Sequence, residues 1–161
     1  MRRPWFKLKQ CGVDFLDSAP QRQVGVFTIP QPADRVWEAL TADDTLSWCR
    51  ALADVTWTSP RPFGEGTTRT VKTPLGAMLL KEVYFRWEEG RRKSFYVAET
   101  TVPLFRRCAE DYLVEELSPS SCRFTWVVAS EAPPAARPGN PVNALITRSL
   151  FSDTRRHFGA S

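Results

Sequence analysis

The order of the elements in this chain is decided by residues 23–57, QVGVFTIPQPADRVWEALTADDTLSWCRALADVTW. Its first residues, Gln23–Ile29, alternate in the manner of a strand. Pro32 suits the first turn of a helix, because its missing N–H has no partner there, and an apolar stripe that includes Trp37 follows it. A second short helix carrying Trp48 and a further strand complete the stretch. This order predicts a sheet that is not closed on itself and whose concave side another element fills.

Beyond residue 54 the sequence alternates with a period of two residues, which is typical of strands. The predicted strands cover Val55–Trp57, Gly66–Thr73, Ala77–Trp87, Lys93–Thr101, Cys108–Leu117 and Cys122–Ser130. The last of them alternates most regularly. Its buried face is predicted to carry Cys122, Phe124, Trp126 and Val128.

A long helix is predicted at the C-terminal end of the chain. Asn140 suits its N-cap, Pro141 its first position, and Gly159 its end after Phe158. The helix carries one broad apolar stripe, formed by Val142, Leu145, Ile146 and Leu150. We expect this stripe to face the sheet.

Length and composition bound the class of protein. The 161 residues suffice for one domain with one core, and 42% hydrophobic and 25% charged residues are ordinary globular values. The net charge of +4 is mild and its basic pairs lie among acids, so no nucleic-acid partner is expected. No apolar run reaches the ~18–20 residues that span a bilayer, and the start of the chain is not a secretory signal. We therefore expect no transmembrane segment and a cytoplasmic location.

Residues 1–22 lack a clear periodicity and are interpreted as an N-terminal extension of a domain that covers residues 23–158. The first nine residues are expected to form a mobile tail. They combine aromatic and basic side chains, namely Trp5, Phe6, Lys7 and Lys9. One hypothesis is therefore a non-catalytic module whose tail contacts a protein partner or an anionic membrane.

The ionisable and metal-ligating residues carry no diagnostic pattern. The four cysteines are scattered and the chain has one histidine, so neither a metal site nor a cofactor is expected, and the thiols are expected to be reduced. Adjacent acids occur at Asp43-Asp44, Glu88-Glu89, Glu110-Asp111 and Glu115-Glu116. Neighbours on a strand point to opposite faces, so the last two pairs are not adjacent acid and base, and solvated charge is the expected state of all four.

Several segments together resemble the START/Bet v 1-like superfamily, in its SRPBCC branch of polyketide cyclase/dehydrase proteins. Residues 29–40, IPQPADRVWEAL, resemble its opening signature, and Leu46-Ser47-Trp48 resembles its second-helix tryptophan. Residues 64–69, GEGTTR, are similar to the start of its third strand. Residues 120–126, SSCRFTW, are similar to its seventh strand, although the usual turn glycine is absent. The resemblance covers about residues 23–158.

The resemblance implies an α+β helix-grip fold. In it a curved antiparallel sheet of about seven strands wraps around the long C-terminal helix, with two short helices after strand one. The space between sheet and helix is the default small-molecule site. Members of the family bind or transform sterols, lipids, polyketides and hormones, so the fold does not specify a ligand. The expected partner is a hydrophobic small molecule, bound by a monomer or homodimer.

The polar candidates for this cavity centre on Arg69. With a period of two it shares a face with Val71, and Glu82 on the next strand is among its possible partners. The pair lies in the cavity if that face is concave, and is an exposed cross-strand pair otherwise. The sequence leaves open which face of strand 77–87 points inward. A cyclase or dehydratase would use Arg69, Glu82, Tyr84 or Tyr112 to transfer protons.

Aromatic residues are abundant on the predicted strands. Ordinary core packing explains them, and the alternative is that they line a pocket for a flat apolar ligand. The candidate ligand-binding residues are Trp57, Phe63, Arg69, Glu82, Tyr84, Phe95, Phe105, Tyr112, Phe124, Trp126, Leu145 and Ile146. Three hypotheses stay open at this point: a carrier of a hydrophobic molecule, an enzyme of the cyclase type, and a non-catalytic interaction module.

Overall fold

The computed structural model describes residues 2–136 and 141–161. The strands are β1 (Phe6–Lys7), β2 (Gln21–Ile29), β3 (Asp54–Trp57), β4 (Thr68–Lys72), β5 (Leu79–Glu88), β6 (Arg92–Thr100), β7 (Arg107–Ser118) and β8 (Ser121–Glu131). The α-helices are α1 (Val13–Ser18), α2 (Ala33–Thr41) and α3 (Pro141–Phe158). The strands form one antiparallel sheet in the order β2-β8-β7-β6-β5-β4-β3, and β1 pairs with β6 beside it. Asn140, the predicted N-cap of α3, lies outside the described residues.

The helix-grip arrangement is confirmed, because α3 packs against the inner face of the sheet. Phe151 of α3 lies edge-on to Trp126 and to Phe27, with ring centroids 5.4 and 5.9 Å apart. The inner face predicted for β8 is also confirmed, since its four residues Cys122, Phe124, Trp126 and Val128 are all buried. In β2 the buried residues are Gly25, Phe27 and Ile29, while Val24 and Val26 point outward.

The stripe by which α3 contacts the sheet differs from the predicted one. Leu145 is 63% exposed and Val142 is also exposed. Leu150 of the predicted stripe is buried and Ile146 is partly buried against the core, and the other buried positions of α3 are Asn143, Thr147, Asp153, Thr154 and Phe158. The polar members are tolerated because they have hydrogen-bond partners: Trp48 donates to the Thr154 hydroxyl at 3.0 Å, for example. The prediction was correct for Ile146 and Leu150 and wrong for Val142 and Leu145, because it assigned the inner face by hydrophobicity alone.

The second short helix predicted around Leu46 and Trp48 is not formed. A series of turns follows α2, with bonds from Thr45 N to Ala42 O at 3.2 Å and from Cys49 N to Leu46 O at 3.0 Å. Leu46 has φ of 61°, in the left-handed region, and a residue there cannot continue a right-handed helix. Leu46 nevertheless remains buried in the core, so the segment has the predicted apolar contact without the predicted conformation.

The N-terminal segment is attached to the outside of the sheet. Phe15 and Leu16 of α1 are buried in a second cluster with Ala109 and Ala129, whose small side chains leave room for the helix. β1 extends the ladder at the end of β6, where the Leu8 N–H bonds Ala98 O at 2.9 Å. The first nine residues, expected as a mobile tail, therefore include a segment paired with the sheet.

Candidate functional site

The inner face of the sheet and α3 enclose a cavity of about 60 Å³. Its apolar walls include Leu46, Leu52, Val71, Met78, Leu80, Phe105, Val128, Ile146 and Leu150. Its polar walls include Arg69, Glu82, Glu110, Tyr112, Asn143 and Thr147. This volume accommodates a few water molecules, whereas the pocket for a drug-sized ligand measures roughly 300–1,000 Å³.

Arg69 and Glu82 face each other across β4 and β5 and lie inside the protein. They are paired in the strand register, and Arg69 Nε donates to Glu82 Oε2. Their side chains are only 1% and 5% exposed. The structure thus resolves the open question of the faces of β5, because Leu80, Glu82 and Tyr84 are the residues that point inward. Burial raises the pKa of the Glu82 carboxyl, and the Arg69 guanidinium opposes that rise.

The Arg69 guanidinium is surrounded by aromatic rings. Its central carbon lies 4.7 Å from the ring centroid of Phe95, 5.4 Å from Trp57 and 5.5 Å from Tyr84. Its Nη1 is buried and has no hydrogen-bond partner among the described residues. Buried donors are nearly always paired, so this atom is a candidate contact for an acceptor on a ligand.

Lys93 is an interior cation that sequence reasoning missed. It is fully buried, and its Nζ donates to Leu40 O at 2.6 Å and to the Tyr84 hydroxyl at 3.3 Å. Burial lowers the pKa of Lys93 well below its ordinary value, and Arg69 lowers it further. The available signal was the period of two, which places Lys93 on the same face as Phe95, but lysine is almost never fully buried.

Glu110 is an interior acid, and its expected solvated state was wrong. The Trp126 indole N–H donates to Glu110 Oε1 at 2.6 Å. Burial raises the pKa of Glu110 to about 8, with a further contribution from Glu82. Glu110 is half-buried, whereas its neighbour Asp111 is buried and lies on the outer face, where Arg92 and Arg86 pair with it at 2.8 and 3.2 Å.

The predicted ligand-binding residues divide into two groups, with Leu145 in neither. Those that line the cavity are Arg69, Glu82, Phe105, Tyr112, Trp126 and Ile146. Five others, Trp57, Phe63, Tyr84, Phe95 and Phe124, belong to an aromatic network that packs around these residues. Leu145 points to solvent and is not part of the site. Phe63 also borders an open groove of about 520 Å³ with Trp87 and Arg61.

Two properties of the described residues bear on the class of site. Within the described residues, no group of three or more histidine, cysteine, aspartate or glutamate side chains is placed to hold a metal ion. In the same part of the chain, no helix has both the length and the apolar character needed to cross a bilayer.

The family model described as polyketide cyclase/dehydrase and lipid transport matches residues 21–157, which include β2, the cavity and nearly all of α3. The chain belongs to this family. A relative in Mycobacterium tuberculosis, an uncharacterized protein, is 30% identical over 160 residues, covering 96% of this chain and 95% of the relative. The family assignment confirms the resemblance to SRPBCC proteins.

Solved structures confirm the fold. A START superfamily protein from Mycobacterium smegmatis superposes with a TM-score of 0.69 at 8% identity, covering 86% of this chain and 97% of that one. The Zhui aromatase/cyclase from Streptomyces sp. R1128 gives 0.65 at 14% identity, covering 84% and 94%. Ginseng major latex-like protein 151 from Panax ginseng gives 0.66 at 14% identity, covering 86% and 97%. At these identities the likeness concerns the fold alone.

Proposed function

We propose that this family member binds a hydrophobic small molecule between the sheet and α3, and that the molecule carries one hydrogen-bond acceptor. The observation that supports this most is the unpartnered Nη1 of Arg69 at a cavity whose walls are predominantly apolar. A carbonyl, carboxylate or phenolate oxygen would satisfy that donor. The apolar remainder of the ligand would contact walls such as Met78, Phe105 and Ile146.

The cavity of about 60 Å³ must enlarge when such a ligand enters. The walls that can yield most easily belong to non-sheet segments: Leu46 and Leu52 lie in turns, and Phe105 lies in the loop between β6 and β7. Loops have fewer packing partners than paired strands and open at lower free-energy cost. We therefore place the ligand's entry at these segments and keep Arg69, on β4, as the fixed contact.

The test is a binding experiment with probes that differ only in their acceptor. Dodecanoic acid, its methyl ester and dodecane would be added to the protein and observed by native mass spectrometry. We expect the acid and the ester to bind more tightly than dodecane by roughly 10- to 100-fold, the ratio expected for a hydrogen bond to a charged group. The proposal is contradicted if none of the three probes binds and an aromatic ketone does not bind either.

The matched variants separate recognition from folding. The double variant Arg69→Met/Glu82→Leu removes the donor without leaving a buried charge unpaired, and replacement of a buried ion pair by apolar residues is often tolerated. We expect it to lose the preference for the acid and the ester while dodecane binding is retained. The control Arg61→Gln/Asp43→Asn removes an exposed Arg–Asp pair, whose N–O distance is 2.9 Å, and should bind all probes like the wild type.

A cyclase-type reaction is the second candidate, and the interior acids favour it. A carboxyl group with a pKa of about 8, such as Glu110, is protonated at neutral pH and can donate a proton to a polarised carbonyl. Tyr112 also lines the cavity. Tyr84 packs against Phe95, which in turn packs against Tyr112. Turnover of a poly-β-ketone that falls in Glu110→Gln and in Tyr112→Phe, with ligand binding retained, would support this candidate. Unchanged rates would exclude Glu110 and Tyr112 from such a reaction and would favour the carrier function.

A further inference from the structure

An exposed leucine lies at the tip of the loop 73–78, which we name the Leu75 loop. The Leu75 side chain is fully exposed, and its φ of 59° lies in the left-handed region that bulky residues rarely adopt. An aliphatic side chain held in water on a strained backbone contributes nothing to the core of this protein. Such an outlier is a reason to look for a surface that covers the residue.

The surroundings of Leu75 are basic and aromatic. Arg3 donates a hydrogen bond to Gly76 O, and the Lys72 side chain lies beside the same glycine. Trp5, which precedes β1, and Phe6 of β1 are exposed, and the Lys81 ammonium lies 4.2 Å from the Trp5 ring centroid. Arg3, Lys7 and Lys72 are exposed, while Lys81 is paired with Glu99 at 3.0 Å.

The Leu75 loop also borders the cavity. Its two ends, Thr73 and Met78, line the cavity wall. The Thr101 hydroxyl accepts a hydrogen bond from the Leu79 N–H at 3.0 Å, which joins the loop to the segment that carries exposed Val102 and the lining residue Phe105. On α3, exposed Val142 and Leu145 flank the lining residues Asn143 and Ile146. The exposed apolar residues thus belong to the same segments that form the cavity rim.

We propose that the Leu75 loop and β1 dock on an anionic phospholipid bilayer. Leu75 enters the acyl region, Trp5 and Phe6 occupy the headgroup level where aromatic rings are favoured, and Arg3, Lys7 and Lys72 face the anionic headgroups. An anionic membrane combines an apolar interior with a negatively charged surface, so it satisfies both the apolar tip and its basic surroundings. A protein partner would need an apolar groove that is also lined by acidic residues. Docking would place the cavity rim at the membrane. A hydrophobic ligand could then pass from the bilayer into the cavity without crossing water. This last point rests on the proposed function.

The test is co-sedimentation of the full chain with vesicles. We compare vesicles of phosphatidylcholine alone with vesicles that contain phosphatidylserine. We expect association with the anionic vesicles that weakens with added salt, and a loss of about tenfold or more for Leu75→Asp, which replaces an apolar contact by a repelled charge. The double variant Lys7→Gln/Lys72→Gln should have an affinity for anionic vesicles that is lower by about fivefold for each charge removed.

The control variants lie at the opposite end of the sheet. Leu117→Asp replaces an exposed leucine near the β7–β8 turn, and Arg35→Gln removes an exposed charge on α2. Both should bind anionic vesicles like the wild type. Association that is absent, that is equally reduced in these controls, or that occurs only with a protein partner overturns the proposal. The ligand assay with dodecanoic acid is independent of vesicles, so the two proposals can fail separately.

Discussion

Glu110 shows what burial does to a single acidic residue. It sits on the inner face of β7 with a hydrogen bond from Trp126, and burial raises its pKa from 4.5 to about 8. Between these two values the folded state keeps a proton that the unfolded state has released. The free energy of unfolding contributed by this group is therefore full below about pH 4.5 and falls as the pH rises toward 8.

We expect Glu110→Gln, which keeps an acceptor for the Trp126 indole, to become more stable relative to the wild type as the pH rises from about 5 to about 8. The difference in free energy of unfolding between the variant and the wild type is compared at each pH. This is necessary because the pKa of Lys93 is lowered, so its contribution to stability has the opposite pH dependence in both proteins. Urea unfolding of both proteins at several pH values measures it. A difference that does not change with pH would show that Glu110 is already ionised in the folded protein at pH 5.

The Arg69–Glu82 pair permits a second prediction at the residue scale. Arg69→Met leaves the Glu82 carboxylate buried without its cation, and breaking a buried pair in this way typically costs about 3–5 kcal/mol. We expect Arg69→Met/Glu82→Leu to be more stable than the single variant, because no buried charge is left alone. Urea denaturation of the three proteins is the measurement. A double variant that is as unstable as the single one would assign the loss to packing around the guanidinium.

At the scale of the element, α1 is a short helix whose order depends on the sheet. Its six residues are too few to be stable alone, so its burial against Ala109 and Ala129 must supply the stability. The guanidinium of Arg107 lies 4.3 Å from the Phe15 ring centroid and covers the helix from the β7 side. The segment before β2 thus contributes to the folded domain as a second, outer layer.

We expect Phe15→Ala to lower the free energy of unfolding by about 3–5 kcal/mol, since a large buried side chain is removed. Val13→Ala in the same helix should change it by less than about 0.5 kcal/mol, because Val13 is exposed. Chemical denaturation distinguishes the two. Equal, small effects would mean that α1 is not docked on the sheet in solution, and residues 1–22 would then act as a detached extension.

For the molecule as a whole, the accessibility of the four cysteines measures how often the folded structure opens. Cys11, Cys49, Cys108 and Cys122 come from four separate segments, and all are buried free thiols. Burial raises the pKa of Cys11 to about 11 and that of Cys49 to about 12, so few thiolates exist at neutral pH.

We expect a thiol reagent at about pH 8 to label the native protein slowly, at rates set by opening of the structure, and to label all four thiols at once in urea. Counting labelled thiols by mass spectrometry over time tests this expectation. Rapid labelling of Cys49 alone would locate a mobile opening beside α3, because its Sγ lies 4.0 Å from Leu150 O. Rapid labelling of all four would contradict the closed core.

Much of the architecture is predictable because it depends on local periodicity. The alternation of β8 and the proline after β2 depend only on neighbouring residues, so the strands β2–β8, their order and the buried face of β8 follow from the sequence. The period of two likewise makes Glu82 one possible partner of Arg69 on the next strand. The turns around Leu46 were not predictable, because a left-handed residue is stabilised there by burial that no local pattern records.

The sequence alone determined the order of the seven strands from β2 to β8 and of the final helix, the family and the apolar face of β8, since each arises from contacts between residues close along the chain or from motifs of fixed spacing. Only the tertiary structure decided that Arg69, Glu82, Lys93 and Glu110 meet inside, that the buried face of α3 includes hydrogen-bonded polar residues, and that the cavity beneath α3 measures about 60 Å³. The physical reason is that the burial of a charge depends on partners contributed by distant strands, and the volume of a void depends on how all of those side chains pack together.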